Sequence, residues 1–257
     1  MDYHVHSTQS YDGRSSMFEI CQKAVELGIA EIGFSEHVDF DPVDWGFGFF
    51  DYTRYSSEIE RTREFFKDRL VIRKGIEIDY QQSFEEKIKT WLREKQFDFT
   101  IGSVHYLNHV IISRQTAEEE NLEERYNTYL EEVSKSIESG LFDVVGHFDL
   151  LGRYIGNGVS ELEDFCCKKK KMILRRIREK KIFLEVNTKA LREGYGDTIP
   201  SRRIIDQYIE DGGKLISLGS DAHSAKEIGS GIKGVLDYLS QHTEGQVELL
   251  FERKDDS

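Results

Sequence analysis

The chain has 257 residues, of which 38% are hydrophobic and 32% charged, and a formal net charge of -13. Its length and apolar content suffice for one large α/β core, while the acidic balance argues against the basic footprint on which broad nucleic-acid binding depends. No apolar run approaches the roughly 20 residues of a membrane span, and the N-terminus shows no signal-peptide pattern.

The first predicted strand, Asp2–His6, reads DYHVH. Side chains two apart on a strand leave by one face, so His4 and His6 can grip one metal ion between them. A polar turn with Asp12 and Gly13 leads to a helix over about Ser15–Leu27. Its apolar Phe18, Cys21, Val25 and Leu27 roughly keep helical period, and Gly28 ends it. Glu31–His37 is a short buried strand with His37 just past its end. The aromatic loop from Phe40 to Tyr52 has the length of a binding loop and is expected to close over a substrate.

A charged helix near Tyr55–Asp68 precedes a strand from Leu70 to Tyr80 that delivers Glu77. A helix near Phe84–Glu94 precedes a strand from Phe97 to Leu107, with His105 near its end. His109–Ser113 reads as a small hairpin arm, and Glu118–Ser139 as a long acidic helix closed by Gly140. Phe142–Asp149 is a fifth strand carrying His147. The helix over Glu161–Lys181 holds Lys168–Lys171, which spread over more than half the circumference and so read as a solvated face rather than a phosphate grip. Ile182–Thr188 is a sixth strand running into KALREG, and Ser201–Asp211 a helix. Lys214–His223 is a seventh strand ending in GSDAH, followed by a last helix over Lys226–Ser240. The tail VELLFERK adds an edge strand or lies against the barrel, and the pattern does not decide which.

Seven strand-then-helix units with near-continuous apolar strands predict a parallel sheet covered by helices. The count suits a distorted (β/α)7 barrel, in one domain over residues 1–257, better than an open nucleotide-binding sheet. No GxGxxG or Walker A loop follows any strand. Barrels draw catalytic groups from the carboxyl ends of different strands, where His4/His6, His37, Glu77, His105, His147 and Asp221/His223 all stand. Ligand-type residues at six independent strand ends point to a shared metal site rather than to scattered core histidines. His109 and His242 fall outside this pattern and read as solvated. Asp39 suits either an outer-sphere partner of a ligand imidazole or a plain loop carboxylate. Cys21, Cys166 and Cys167 offer neither CxxC spacing nor an even framework, which predicts reduced thiols in a cytoplasmic protein.

HVHS, SEHVD, GIEIDY, GSVHY, VVGHFD and LGSDAH, in that order, resemble the PHP family, named for polymerase and histidinol phosphatase domains. EVNTKALREG and the overall length are most similar to its histidinol-phosphate phosphatase branch. The resemblance implies a distorted seven-stranded barrel with three divalent metal ions (Zn, Mn or Fe) at its mouth. It implies that His4 and His6 hold a first ion together with Glu77 and Asp221. Glu77 would bridge to a second ion held by His105 and His147, and Asp12, His37 and His223 would hold a third. Asp12 departs from members that carry His there; an oxygen donor shifts that site toward manganese or iron over zinc.

Arg153 and Arg192 match arginine positions of the phosphatase branch and are expected to grip phosphate bidentately. Asn187, at the end of strand six, is expected to bond substrate or a metal-bound water. Three divalent ions set against Asp12, Glu77 and Asp221 leave an excess of about three positive charges, which reconciles a phosphate site with an acidic exterior. The activity implied is hydrolysis of L-histidinol phosphate to L-histidinol and phosphate, in histidine biosynthesis, through a metal-bridging hydroxide. Arg153 and Arg192 join the catalytic set, and Asp221, His223 or a metal-bound water remain open as proton donor to the leaving oxygen.

Two other readings stand beside this one. A PHP-type phosphoesterase for another small ester or a nucleotide is one; the lack of a basic, aromatic-studded groove weighs against a polymeric substrate. A catalytically silent metal-binding module is the other; it should have lost ligands, and none of the nine is missing. Neither nucleic acid nor membrane is an expected partner, and the oligomeric state stays open.

Overall fold

Strands buried on both faces must be apolar almost throughout, and the runs singled out above are the ones that pair. In chain order they are β1 (Asp2–Val5), β2 (Glu31–Val38), β3 (Val71–Asp79) and β4 (Phe99–Ser103). The short strands β5 (Tyr106–Leu107) and β6 (Val110–Ile111) follow, then β7 (Val144–Val145), β8 (Phe183–Asn187), β9 (Leu215–Gly219) and β10 (Glu248–Leu249). The computed structural model describes residues 1–113, 122–155, 159–243 and 246–251, with 155 and 159–166 in backbone only. The first residues of the helix expected from 118 and the end of the VELLFERK tail lie outside the described residues.

Eight strands form one sheet in the order β1-β2-β3-β4-β7-β8-β9-β10, every pair parallel. The eighth member settles the tail: Glu248 and Leu249 pair with Leu215 and Ile216 at the foot of β9. Just beyond the top of β9 the chain turns to the opposite edge. Ala222 bridges Val5, and the His6 amide donates to the Ala222 carbonyl at 2.8 Å. The sheet thus curls into a distorted barrel whose rim closes where its foot carries an extra strand. The expected arm is present as the antiparallel pair β5–β6, with Tyr106 opposite Ile111.

Helices α1 (Met17–Glu26), α2 (Tyr52–Phe66), α3 (Glu85–Arg93), α4 (Leu122–Ser139), α5 (Leu150–Ile155), α6 (Val159–Lys180), α7 (Lys189–Arg192), α8 (Arg202–Glu210) and α9 (Ile232–Thr243) follow the strands. None of the described helices is long and apolar enough to cross a membrane. α1 begins where a capping box dictates: Ser16 Oγ accepts from the Glu19 amide while Glu19 Oε2 accepts from the Ser16 amide at 2.8 Å. Two one-turn elements, α5 and α7, interrupt stretches read as strand or loop. The fifth strand is far shorter than Phe142–Asp149, because His147 (φ +21°) and Asp149 (φ +75°) leave the extended region and break the ladder.

The barrel interior changes character from foot to rim. Its base is a plug of Tyr3, Phe99, Ile101, Val144 and Leu250. The Phe99 ring crosses directly over Gly75, where a Cβ would sit 2.2 Å from it. A bulge in β1, three steps from Asp2 to Val5 against two from Ile32 to Phe34, lets Tyr3 join this plug while His4 still faces the interior. Above the plug the lining turns ionisable.

Candidate metal centre

Glu77 is the hub of the rim. β3 carries it to the barrel axis with its side chain 1% exposed, and its two oxygens face different sets of imidazoles. Oε2 lies 3.2 Å from His4 Nε2, 3.5 Å from His6 Nε2 and 3.1 Å from His37 Nδ1. Oε1 lies 3.0 Å from His147 Nε2 and 3.6 Å from His105 Nε2, and accepts a 2.5 Å bond from Ser103 Oγ. Around it, His6 stacks on His37 with centroids 4.2 Å apart. His223 Nε2 stands 3.0 Å from Asp12 Oδ2, and His6 Nε2 3.9 Å from Asp221 Oδ1. All nine residues expected to bind metal therefore meet at one rim. His37 arrives from inside β2 rather than past its end.

Opposed charges set the protonation of this cluster. Burial disfavours a charged His4, but Glu185, Glu77 and Asp221 outweigh it and hold His4 well above the usual imidazole range. His6, buried and pressed by His37 and His223, sits well below. Burial lowers His105 to about 3, with His147 adding to the effect against the pull of Glu77. Glu77 stays ionised: burial would raise its pKa, and the surrounding His4, His37 and His105 bring it well below the usual value.

The donor set fits divalent cations. Four groups of three, His4/His6/Glu77, His37/Glu77/His105, His6/His37/His223 and His4/His147/Asp221, each bring ligand atoms within 4.8 Å of one another. Among the described residues, His4 Nε2, His6 Nε2, Glu77 Oε2 and Asp12 Oδ1 are buried without a hydrogen-bond partner. Nitrogen and oxygen atoms left bare at the centre of a barrel are costly unless a cation answers them.

Outer partners orient the inner donors, and the sequence did not disclose them. Glu185, in the middle of β8, accepts from His4 Nδ1 at 2.5 Å with Oε1 and from the His147 amide at 2.5 Å with Oε2. The signal was present: an acid inside the apolar run IFLEVNT, with no basic neighbour in the strand. Gly219 on β9 makes room for it, since a Cβ there would lie 2.4 Å from both Glu185 Oε1 and His4 Cβ. Asp79 accepts from the His105 amide at 2.6 Å, and Glu36 from Ser7 and Ser10 beneath His6. Asp39 does not take up the imidazole-orienting role considered for it; its buried Oδ2 has no hydrogen-bond partner, and burial raises its pKa to about 7.

The cleft above the cluster holds about 160 Å³ and is walled by Asp12, His37, Glu77, His105 and His147, by Tyr11, Asp39, Asp44 and Tyr106, and by Arg153, Lys189 and Asp221. Asp44 comes from the aromatic loop, whose tip carries Trp45 80% exposed. Arg153 reaches the cleft from α5, ion-paired to Glu193 and stacked on Tyr195 at 4.5 Å. Arg192 lies in an adjoining hollow with Asp12, Arg14, Lys189 and His223. Its Nη1 and Nη2 donate to the Ser220 and Asp221 carbonyls at 2.9 and 3.1 Å. Asn187 is fully buried below the cleft, its amide donating to Asp221 Oδ2 at 3.3 Å. It thus meets a carboxylate of the cluster.

His109 and His242 both stand at the surface as expected, and part of the lysine run does not. His109 is 60% exposed yet pairs through Nδ1 with Asp41 Oδ2 at 2.6 Å. His242 is exposed, but its ring stacks on Tyr238 and Nδ1 meets the Tyr238 carbonyl at 2.8 Å. Within the lysine run, Lys169 reaches Glu131 at 2.9 Å and Lys170 reaches Asp149 at 2.8 Å, so this part of the helix face is docked rather than solvated.

A parallel sheet rolled into a barrel, with five imidazoles converging on one buried carboxylate at its rim, defines a metal-dependent α/β barrel protein. The model of the PHP domain matches residues 2–189, and the chain belongs to that family. It is 29% identical over 249 residues to the histidinol-phosphatase of Lactococcus lactis, covering 94% of this chain and 87% of the relative. It is 26% identical to that of Bacillus subtilis, covering 92% and 98%. The crystal structure of the Lactococcus lactis histidinol phosphate phosphatase, complexed with zinc, L-histidinol and phosphate, superposes with a TM-score of 0.83 at 26% identity, covering 97% of this chain and 94% of that one. A chain from Listeria monocytogenes, 23% identical, shares the fold with a TM-score of 0.82.

Proposed function

We propose that the chain is a metal-dependent phosphomonoesterase that hydrolyses L-histidinol phosphate to L-histidinol and phosphate. The observation that carries this reading is Glu77, whose oxygens divide five imidazoles between them at the floor of a cleft walled on one side by Arg153 and Lys189. Relatives named for this activity over nearly the full chain support the substrate.

Three divalent ions (Zn, Mn or Fe) would complete the site. His4 and His6, with Glu77 and Asp221, would hold one, His105 and His147, with Glu77, a second, and Asp12, His37 and His223 the third. Such ions, when bound, make water acidic enough to attack at neutral pH and neutralise charge on the phosphoryl oxygens. The chain's own residues do the rest. Glu185 fixes the His4 ring so that Nε2 faces the cluster, and Asn187 turns the Asp221 carboxylate. Arg153 lines the cleft where the phosphate would sit, Arg192 braces the adjoining hollow through the Ser220 and Asp221 carbonyls, and the loop from Phe40 to Tyr52 would cover the bound ester.

The reading is tested by phosphate release from purified, zinc- or manganese-loaded protein. L-Histidinol phosphate should exceed other small phosphomonoesters and nucleotides by at least about tenfold in kcat/KM, the discrimination available when buried polar groups are left unmatched by a wrong leaving group. Equal turnover across the panel would remove the substrate and leave the phosphatase class. Failure with every ester, in protein carrying metal, would remove both.

A further inference from the structure

We propose that Lys189 binds the phosphoryl group of the substrate, a role that rests on the phosphatase reading above. The residue lies on the single turn α7, and that turn is clamped on several sides. The Thr188 amide donates to the Gly219 carbonyl at 2.9 Å, and Thr188 Oγ1 to the Ser230 carbonyl at 2.5 Å. Asn187 Oδ1 accepts from the Lys189 amide at 3.0 Å. Three residues along, Arg192 fastens the other end through its bonds to Ser220 and Asp221. One turn of helix brings positions three apart onto one face, so the grip of Arg192 also sets where Lys189 projects.

Its ammonium stands 3.0 Å from Asp221 Oδ1, and the side chain remains 28% exposed. Lys189 lines both the cleft over Glu77, His105 and His147 and the adjoining hollow beside Asp12, Arg14 and His223. The two arginines are differently placed. Arg153 is tied to Glu193 and Tyr195, and Arg192 to two backbone carbonyls. An ammonium has three donors; one meets Asp221, which leaves two for an anion above the cluster. A compact point charge on a flexible stem also suits a tetrahedral dianion that changes shape during reaction. Arg192 is then a positioning residue that holds the turn, and Lys189 is the cation that the turn presents.

The test uses Lys189→Met, close in shape and uncharged, and Lys189→Arg, which restores the charge. Inorganic phosphate binding to metal-loaded wild type and variants is measured by calorimetry, metal content by mass spectrometry, and KM and kcat with L-histidinol phosphate. The methionine variant should bind phosphate at least about tenfold more weakly, the scale of one charge-assisted hydrogen bond. KM should rise, metal content should match wild type, and arginine should recover most of the binding. Unchanged phosphate affinity overturns the proposal. So does a loss of metal that parallels the loss of phosphate, for Lys189 would then only balance the charge of Asp221. If wild type takes up metal but no phosphate, the proposal fails together with the phosphatase reading. If phosphate binds and weakens as expected while L-histidinol phosphate is not cleaved, Lys189 keeps its role and only the substrate is lost.

Discussion

The two halves of the barrel build their share of the rim by different means. From β1 to β4 the strands run 4 to 9 residues, and His4, His37 and Glu77 are delivered by the strands themselves or within a residue or two of their ends. From β7 to β9 the strands are 2 to 5 residues long, and His147 and Asp221 sit in turns at φ +21° and +51°. Non-glycine residues held there store strain that the surroundings must offset. One half is a rigid donor wall made by pleat geometry. The other is a set of short elements, α5 and α7 among them, that carry Arg153, Lys189 and Arg192. On the reading proposed above, the donors His4, His37 and Glu77 of the first half stand on continuous strands, while Arg153 and Lys189, which line the cleft, are carried by short helices.

The largest effect that could break this contrast is at the rigid wall. On the reading proposed above, Glu77→Gln removes the charge that five imidazoles share, and it should lower kcat by more than the tenfold to hundredfold typical of an outer-sphere change. Metal per chain, measured by mass spectrometry, should fall with it; full metal content with near-normal turnover would mean that the two halves do not divide the work in this way. Glu185→Gln probes the junction, because one carboxylate serves His4 from the first half and the His147 amide from the second. Metal affinity or activity should drop about tenfold to hundredfold, with folding retained in circular dichroism. Gly219→Ala is the mildest. The added methyl meets Glu185 and His4 at 2.4 Å, so over-packing should cost about 1–3 kcal/mol, read as a lower denaturation midpoint. An unchanged midpoint would mean that the halves fit loosely there.

Much of the first half could be read in the sequence because apolar runs buried on both faces and histidines near strand ends are local signals. HVH, SEH, GIEID and GSVH each announce both the strand and the donor it carries. The second half hid more. FDVVGHFD looks like one long strand, and nothing in its composition reveals that His147 and Asp149 adopt positive φ. Glu185 is hard to read because an acid in an apolar run acquires meaning only together with its partner ring, 181 positions away. KALREG showed its arginine, yet the lysine three residues earlier faces the cleft only because α7 forms. The strand pattern locates Asn187 at the end of β8, but which way its amide turns depends on Asp221 across the sheet.

Asp12 occupies an unusual position within this design. It stands on a loop with its side chain 32% exposed, where Glu77 is 1% exposed, and its Oδ1 has no hydrogen-bond partner among the described residues. A change at the hub disturbs five rings together, whereas a change at this outlying carboxylate touches His223 at 3.0 Å and His37 at 3.8 Å. On the reading proposed above, retuning which cation the protein prefers is therefore work for the periphery: exchanging Asp12 for a nitrogen or sulfur donor acts through His223 and His37 rather than through the buried hub.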